Sequence, residues 1–191
     1  MTAKLNLLGV LIFLLLATMM TGGCSKDSTS DSPQQATSGN SESGLVVGPR
    51  QGNLAPNFNL KRIDGGNLEL SSLKGKAVLI DFWDTWCPPC RKALPHLQEI
   101  SDTYAEDLVV VGVAMGRDGE AKVQSYVKDN GLTFEFVLAD APQYTVMRDF
   151  GGVQSIPTTF LLDRDGVIRN IWTGAMPKAE YEKAVKQVLG V

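Results

Sequence analysis

Residues 77 to 91 read AVLIDFWDTWCPPCR, an apolar run that leads directly into two cysteines three residues apart. The run from Ala77 to Trp83 is continuous except for one carboxylate, which predicts a strand covered on both faces. The two prolines between Cys87 and Cys90 suit the first turn of a helix, where their missing N–H groups would have no intrahelical partner. The sequence therefore predicts a buried strand that ends close to a cysteine pair at a helix N-terminus.

A cysteine pair in this position is suited to thiol–disulfide exchange. Residues three apart on a helical turn have Cβ atoms roughly 5 to 6 Å apart, close enough for a reversible disulfide. The positive end of the helix dipole would stabilise a thiolate on Cys87, and Arg91 and Lys92 add positive charge. We therefore expect Cys87 to be the nucleophile and Cys90 to be the resolving thiol. A disulfide that closes so short a loop adds little stability, which argues against a purely structural role.

Asp81 is the carboxylate in the middle of the predicted buried strand. Burial disfavours the charged form, so it should raise the pKa of Asp81 and allow this side chain to accept a proton. A hydrogen-bonded structural carboxylate is the alternative. The strand pattern alone leaves both roles open.

The rest of the globular part alternates strand-like and helix-like segments, which predicts an α/β domain with helices packed on a sheet. Strands are predicted over residues 57–60, 68–70, 77–83, 108–114, 133–138, 158–163 and 167–172, and helices over 88–104, 119–130, 143–150 and 177–189. The segment 108–114 is also a continuous apolar run, so we expect it to lie beside 77–83. Asp165-Gly166 is a strong signal for a hairpin turn.

The N-terminal part has the composition of an export signal followed by a tether. Residues 1–23 carry an early lysine, an apolar run from Leu7 to Ala17 and then small residues, as secretory signals do. The apolar run is shorter than the roughly 20 residues that span a bilayer, so a retained membrane anchor is the second interpretation. Residues 24–44 are mostly small and polar and predict a disordered tether, which leaves 45–191 as one domain.

Charge and cysteine counts exclude two classes of function. The chain of 191 residues has a net charge of -3 and no basic stripe, so nucleic acid is not expected as a partner. Three cysteines leave one odd thiol, and assigning Cys24 to another role leaves Cys87 and Cys90 as a pair. With His96 as the only histidine, the chain offers too few ligands for a zinc site, and no metal is expected.

Residues 78 to 91 resemble the active-site segment of the thioredoxin superfamily, and most closely its TlpA/ResA-like envelope group, a redoxin or AhpC/TSA-related domain. The segments Ala55–Phe58 and Gly75–Lys76 match the start of that domain, and the resemblance covers about Leu54 to Leu189. It implies a thioredoxin-like α/β fold, in which helices flank a central mixed sheet, with an N-terminal hairpin and a strand–helix insertion. The implied activity is protein-disulfide oxidoreduction without a bound cofactor.

The resemblance also implies roles for individual residues. Residues 155–160 (SIPTTF) match the family's second element, in which Pro157 follows a cis peptide bond and faces the cysteines. Without the cysteines, this proline would be interpreted as an ordinary trans residue that opens a strand. In the family, the backbone at Ile156 pairs with an extended substrate, and an aspartate at the place of Asp81 deprotonates the resolving cysteine. The other residues expected at the substrate surface are Trp86, Pro88 and Pro89.

Met20 to Cys24 (MTGGC) resemble a bacterial lipobox, in which the cysteine is diacylated and becomes the mature N-terminus. Thr21 stands where that motif usually has leucine, and a secreted protein with a free Cys24 is the alternative. Lipidation would place the domain on the periplasmic side of the envelope, attached to the inner or the outer membrane. By analogy, its partners would be disulfide-bonded proteins and a membrane thiol reductant, with a link to cytochrome c maturation.

Two residues depart from the family pattern, and the sequence leaves two alternative functions. Ala93 replaces a glutamate that is common in the cytochrome c branch, which puts a dedicated apocytochrome role in doubt. Asp84 replaces a small residue and adds negative charge near the thiolate. A peroxiredoxin-like peroxidase needs a threonine a few residues before its cysteine, a spacing that Thr85 does not provide. The remaining alternative is a non-catalytic adaptor with the same fold.

Overall fold

The computed structural model describes residues 44–142 and 144–191. The predicted signal segment, the lipobox with Cys24 and nearly all of the predicted tether lie outside these residues. The strands are β1 (Asn59–Lys61), β2 (Asn67–Glu69), β3 (Ala77–Trp83), β4 (Leu108–Ala114), β5 (Glu135–Leu138), β6 (Thr158–Leu162) and β7 (Ile168–Thr173). The helices are α1 (Pro88–Thr103), α2 (Glu120–Asp129), α3 (Thr145–Asp149) and α4 (Lys178–Leu189), with a 3₁₀ turn at Leu70–Leu73.

Strands β3 to β7 form one mixed sheet in the order β5-β4-β3-β6-β7. Strand β3 pairs in parallel with β4 and antiparallel with β6, and β7 pairs antiparallel with β6 after a turn at Asp165-Gly166. Strands β1 and β2 form a separate antiparallel hairpin. Helix α2, β5 and α3 all lie between β4 and β6 in the chain, and this stretch contains the expected strand–helix insertion. The predicted thioredoxin-like α/β class is confirmed.

The sheet separates two apolar clusters, because alternate residues of β3 point to opposite faces. Leu79 and Trp83 pack on one face with buried side chains of α1, α2 and α4. Ile80 and Phe82 pack on the other face with α3 and the β1–β2 hairpin. Every residue of β3 is buried. Burying each large apolar side chain stabilises the fold by roughly 1.5–3 kcal/mol, so β3 is the best-anchored part of the sheet.

Both edges of the sheet are partly covered by other parts of the chain. At the β5 edge, the Ile63 N–H donates to the Phe136 carbonyl at 3.1 Å. At the β7 edge, the Gly52 N–H donates to the Ile168 carbonyl at 2.8 Å, and the Ile168 N–H donates to Asn53 at 2.9 Å. Among the described residues, no helix has the length and apolar character needed to cross a membrane.

All predicted strands and helices are present, with ends that differ by at most two residues. The largest difference at a helix is the start of α3, which was predicted at Gln143 and lies at Thr145. The reason is a side chain outside the helix. Asp140 accepts from the N–H groups of Thr145 at 2.9 Å and Val146 at 3.1 Å, and so provides partners for the first turn.

We expect Gly112→Ala in β4 to destabilise the domain by about 1–3 kcal/mol, the usual cost of overpacking a core. An added Cβ would lie 2.7 Å from the Phe136 ring and 3.0 Å from Trp83 Nε1. Gly48→Ala is the matched control, because its Cβ would meet only the movable end of the Asn53 side chain. Denaturant unfolding measures both free energies, and equal losses in the two variants would contradict this account.

Candidate active site

Cys87 lies at the N-cap of α1, where the chain turns after β3. The turn is closed by the Cys87 N–H, which donates to the Asp84 carbonyl at 3.2 Å. Pro88 and Pro89 occupy the first helical positions, and Cys87 Sγ accepts from the Cys90 N–H at 3.2 Å. Because the two prolines have no N–H, the Cys90 N–H is the first backbone donor of the helix, and it donates to the Cys87 sulfur. The sulfur also lies at the positive end of the helix dipole, an arrangement that stabilises a thiolate.

Cys87 and Cys90 form a disulfide in this structure, with an S–S distance of 2.04 Å and a Cα–Cα distance of 5.3 Å. The two residues differ in their access to solvent, since Cys87 is 2% exposed and Cys90 is 0% exposed. A substrate that approaches the disulfide from outside would meet Cys87 first. This arrangement favours Cys87 as the attacking sulfur and Cys90 as the internal one.

The Ile156–Pro157 peptide bond is cis, and this loop faces the disulfide. The Ile156 carbonyl oxygen lies 3.6 Å from Cys87 Sγ. The Thr158 hydroxyl donates to the Ser155 carbonyl at 2.7 Å and holds the loop closed across the proline. Trp86, the residue before Cys87, is 44% exposed and presents an indole to the solvent. The structure thus brings together the predicted residues Trp86, Cys87, Ile156 and Pro157.

Asp81 is fully buried on the face of β3 that also carries Leu79 and Trp83, whose cluster includes Cys90. Its Oδ1 accepts from the Thr159 hydroxyl at 2.8 Å, while Oδ2 has no hydrogen-bond partner among the described residues. Burial raises the pKa of Asp81 to about 7, and the hydrogen bond from Thr159 offsets part of that rise. Asp81 therefore changes protonation state near neutral pH.

A short hydrogen-bonded chain continues from Asp81 to α4. The Thr159 hydroxyl lies 3.3 Å from the Tyr181 hydroxyl, which accepts from the Met176 N–H at 3.3 Å. Because Thr159 donates to Asp81, Tyr181 donates to Thr159, and all the donors are directed towards the carboxyl group. Burial raises the pKa of Tyr181, so it remains protonated and able to donate. Sequence reasoning missed this chain, since nothing local connects these residues.

Asp84 has a structural role that the sequence did not indicate. It is fully buried, and both of its carboxylate oxygens accept hydrogen bonds. Oδ1 accepts from the Thr85 N–H at 2.7 Å, and Oδ2 accepts from Trp86 Nε1 at 2.8 Å and from the Arg117 N–H at 3.2 Å. Asp84 thereby connects the active-site turn to the loop after β4. The signal in the sequence was an aspartate at a position where the resemblance to the family leads to the expectation of a small residue.

Two other residues singled out in the sequence lie on α1. Ala93, which stands where the resemblance leads to the expectation of a glutamate in the cytochrome c branch, is fully buried. His96 is half-buried. Within residues 44–142 and 144–191, no group of three or more His, Cys, Asp or Glu side chains is arranged to hold a metal ion.

A cysteine pair at a helix N-terminus, opposite a cis-proline loop on this sheet, defines a thioredoxin-fold dithiol protein. The model of the AhpC/TSA family matches residues 51–171, and the chain belongs to that family. It is 37% identical to the thioredoxin-like protein YneN of Bacillus subtilis over 72% of this chain and 79% of that protein. It is 32% identical to the thiol-disulfide oxidoreductase ResA of Halalkalibacterium halodurans over 73% of this chain and 77% of that one.

A solved structure agrees with these relatives. The thiol:disulfide interchange protein of Chlorobium tepidum TLS superposes with a TM-score of 0.66 at 33% identity and covers 74% of this chain and 98% of its own. The chain is thus an enzyme of the thiol-disulfide oxidoreductase class, and the expectation of a TlpA/ResA-like protein is confirmed.

We expect the contribution of Asp81 to the stability of the oxidised protein to fall as the pH rises from about 4 to about 7. The pKa of Asp81 is about 7 in the folded protein, whereas its ordinary value, taken for the unfolded chain, is 3.8. Between these two pH values the folded state therefore binds more protons than the unfolded state. In Asp81→Asn this contribution is absent. Between pH 4 and pH 8, the free energy of unfolding of Asp81→Asn should therefore increase relative to that of the wild type by up to ~4 kcal/mol.

Denaturant unfolding of both proteins across that pH range measures the difference. Exposed carboxylates whose pKa is lowered by partners, such as Glu99 beside Lys178, are present in both proteins and cancel. Parallel stability curves for the wild type and Asp81→Asn would show that Asp81 does not titrate near neutral pH.

Proposed function

We propose that this protein reduces disulfide bonds of protein substrates in the cell envelope, with Cys87 and Cys90 as the reacting thiols. The observation that carries the proposal is the place of Cys87: its sulfur is at the N-cap of α1 and 3.6 Å from the Ile156 carbonyl oxygen of the cis-proline loop. A sulfur in that place is activated by the helix and lies beside a backbone segment that can align an extended substrate.

The first step begins from the reduced dithiol. The Cys87 thiolate attacks one sulfur of the substrate disulfide, a bond forms between Cys87 and that sulfur, and the other substrate sulfur leaves as a thiolate. Pro157 has no N–H group, so it does not compete for the approaching sulfur. Trp86, Pro88, Pro89 and the backbone of Ile156 form the contact surface. The helix N-terminus stabilises the thiolate that attacks.

The second step releases the substrate. Cys90 loses its proton to Asp81 and attacks Cys87 Sγ, the Cys87–Cys90 disulfide forms, and the second substrate sulfur leaves as a thiol after protonation. Two electrons pass from the protein to the substrate. Asp81 suits the role of the base, because it is buried on the face of β3 that packs with Cys90 and its pKa is about 7.

The oxidised protein then needs a dithiol donor, for which a membrane thiol reductant fits the proposed location. We place the domain of residues 45–191 on the periplasmic side, held by a lipid on Cys24 after removal of residues 1–23. The tether of about twenty residues would reach roughly 25 Å by random-coil statistics. A link to cytochrome c maturation is a narrower proposal, and the buried Ala93 weighs against a protein dedicated to it.

We expect Cys90→Ala to accumulate mixed disulfides with substrate proteins in cells, because the second step cannot occur. Acid quenching, non-reducing electrophoresis and mass spectrometry of the adducts would identify the partners. In Cys87→Ser the adducts should be absent, although Cys90 remains. Adducts that form equally through either cysteine would contradict the assignment of Cys87 as the nucleophile.

We expect Asp81→Asn to slow the second step by ~10²-fold near neutral pH, the lower range for loss of a general base. The rate of the first step should stay close to that of the wild type, because Asp81 acts on Cys90. Rapid acid quenching and mass spectrometry after mixing with a peptide disulfide resolve the two steps. Asp64→Asn, an exposed residue of the β1–β2 turn, is the matched control. A slowed first step with an unchanged second step would contradict the role of Asp81.

A further inference from the structure

A cleft of about 270 Å³ lies beside Cys87, between the cis-proline loop and the loop that follows β4. Trp86 and Arg117 form one side, Ile156 belongs to the other, and Met115 and Met147 also line it. The Ile156 carbonyl oxygen that lies near Cys87 Sγ connects this cleft to the reacting sulfur. A peptide bound in a mixed disulfide would therefore place the side chains next to its own cysteine at this cleft.

Arg117 is held at the rim of the cleft by two contacts. Its backbone N–H donates to Asp84 Oδ2, the oxygen that also accepts from Trp86 Nε1. Its guanidinium carbon lies 5.3 Å from the centroid of the Trp86 ring, a cation–π distance. Because Asp84 is fully buried, it fixes both the indole and the Arg117 backbone from below. The cation is thus positioned beside the surface where the substrate binds.

Apart from its cation–π contact with Trp86, the guanidinium of Arg117 has no charged partner within the described part of the chain. No ion pair involves it among residues 44–142 and 144–191, and Asp84 accepts from the backbone N–H of Arg117 rather than from its guanidinium. The neighbouring Asp118 is engaged by Lys122 at 2.6 Å. No Asp or Glu lines the cleft itself. An exposed cation above an otherwise uncharged cleft is complementary to a carboxylate.

We propose that Arg117 selects disulfide substrates that carry an acidic side chain next to the reacting cysteine. This inference rests on the proposed reduction of disulfides through Cys87 and names the class of peptide that the site prefers. The acidic side chain would pair with the Arg117 guanidinium while the peptide's cysteine is bonded to Cys87. The methionines and Trp86 cover the apolar part of the same segment. Arg117 is a specificity residue and takes no part in the transfer of electrons.

The test uses two symmetric peptide disulfides that differ only beside the cysteine, with aspartate on both sides in one and asparagine in the other. The full chain is reduced with dithiothreitol, desalted and mixed with each peptide, and the second-order rate of its oxidation is measured. The ratio of the aspartate rate to the asparagine rate should be higher in the wild type than in Arg117→Gln by up to about five-fold, the upper end of the range for an exposed ion pair. Salt at about 0.5 M should remove most of this difference.

Two further variants separate the local contact from a general electrostatic field. Arg117→Lys keeps the charge and should retain most of the preference. Arg91→Gln removes an equal charge that lines a different cleft, with Tyr126 and Asn130, and should leave the ratio as in the wild type. An equal fall of the ratio in Arg91→Gln and Arg117→Gln would overturn the inference.

The remaining outcomes distinguish this inference from the proposed function. If both peptides oxidise the protein and the ratio is the same in the wild type and Arg117→Gln, the specificity role is wrong and disulfide reduction stands. If neither peptide oxidises the reduced protein, the proposed function fails and the inference fails with it. Arg117 is exposed, so its substitution should leave the fold intact, and this can be checked by denaturant unfolding.

Discussion

The burial of β3 on both faces is the constraint on which the site depends. All seven residues of the strand are buried, and the strand pairs with β4 on one side and β6 on the other. The chain leaves this fixed strand at Trp83 and reaches the N-cap of α1 at Cys87. A displacement of β3 would therefore move the helix N-terminus, the cysteines and the paired strand β6, which follows Pro157. The sheet, rather than the active-site loop, sets the distance between Cys87 and Ile156.

The same burial also creates the chemistry of Asp81. In water this carboxyl group would be ionised at neutral pH, whereas in the sheet its charged form loses hydration and its pKa rises to about 7. One carboxyl oxygen keeps a donor from Thr159, and the other has no partner among the described residues. A site of this kind costs stability when it is charged. This loss of stability is consistent with a carboxylate that has to accept a proton inside an apolar cluster.

The sequence was most informative where chemistry is local. Continuous apolar runs predicted β3 and β4 with their observed ends, and the prolines after Cys87 predicted where α1 begins. The position of α3 depends on Asp140, which lies outside the helix, and its start was misplaced by two residues. The contacts of Asp84 with Arg117 and of Asp81 with Thr159 join residues that are distant in the chain. Such contacts follow from strand pairing and have no local pattern, so they could not be predicted from one sequence.

The covered edges of the sheet affect how readily copies of the domain aggregate when they are crowded together. Unpaired strand edges are templates on which identical chains can add strands and aggregate. Here the hairpin occupies part of the β5 edge, and the segment around Gly52 occupies the start of β7. Arg169, held by Asp163, places a charge on the rest of β7. Crowded neighbours would have to break native hydrogen bonds before they could join sheets, so the domain is protected against polymerisation through its own backbone.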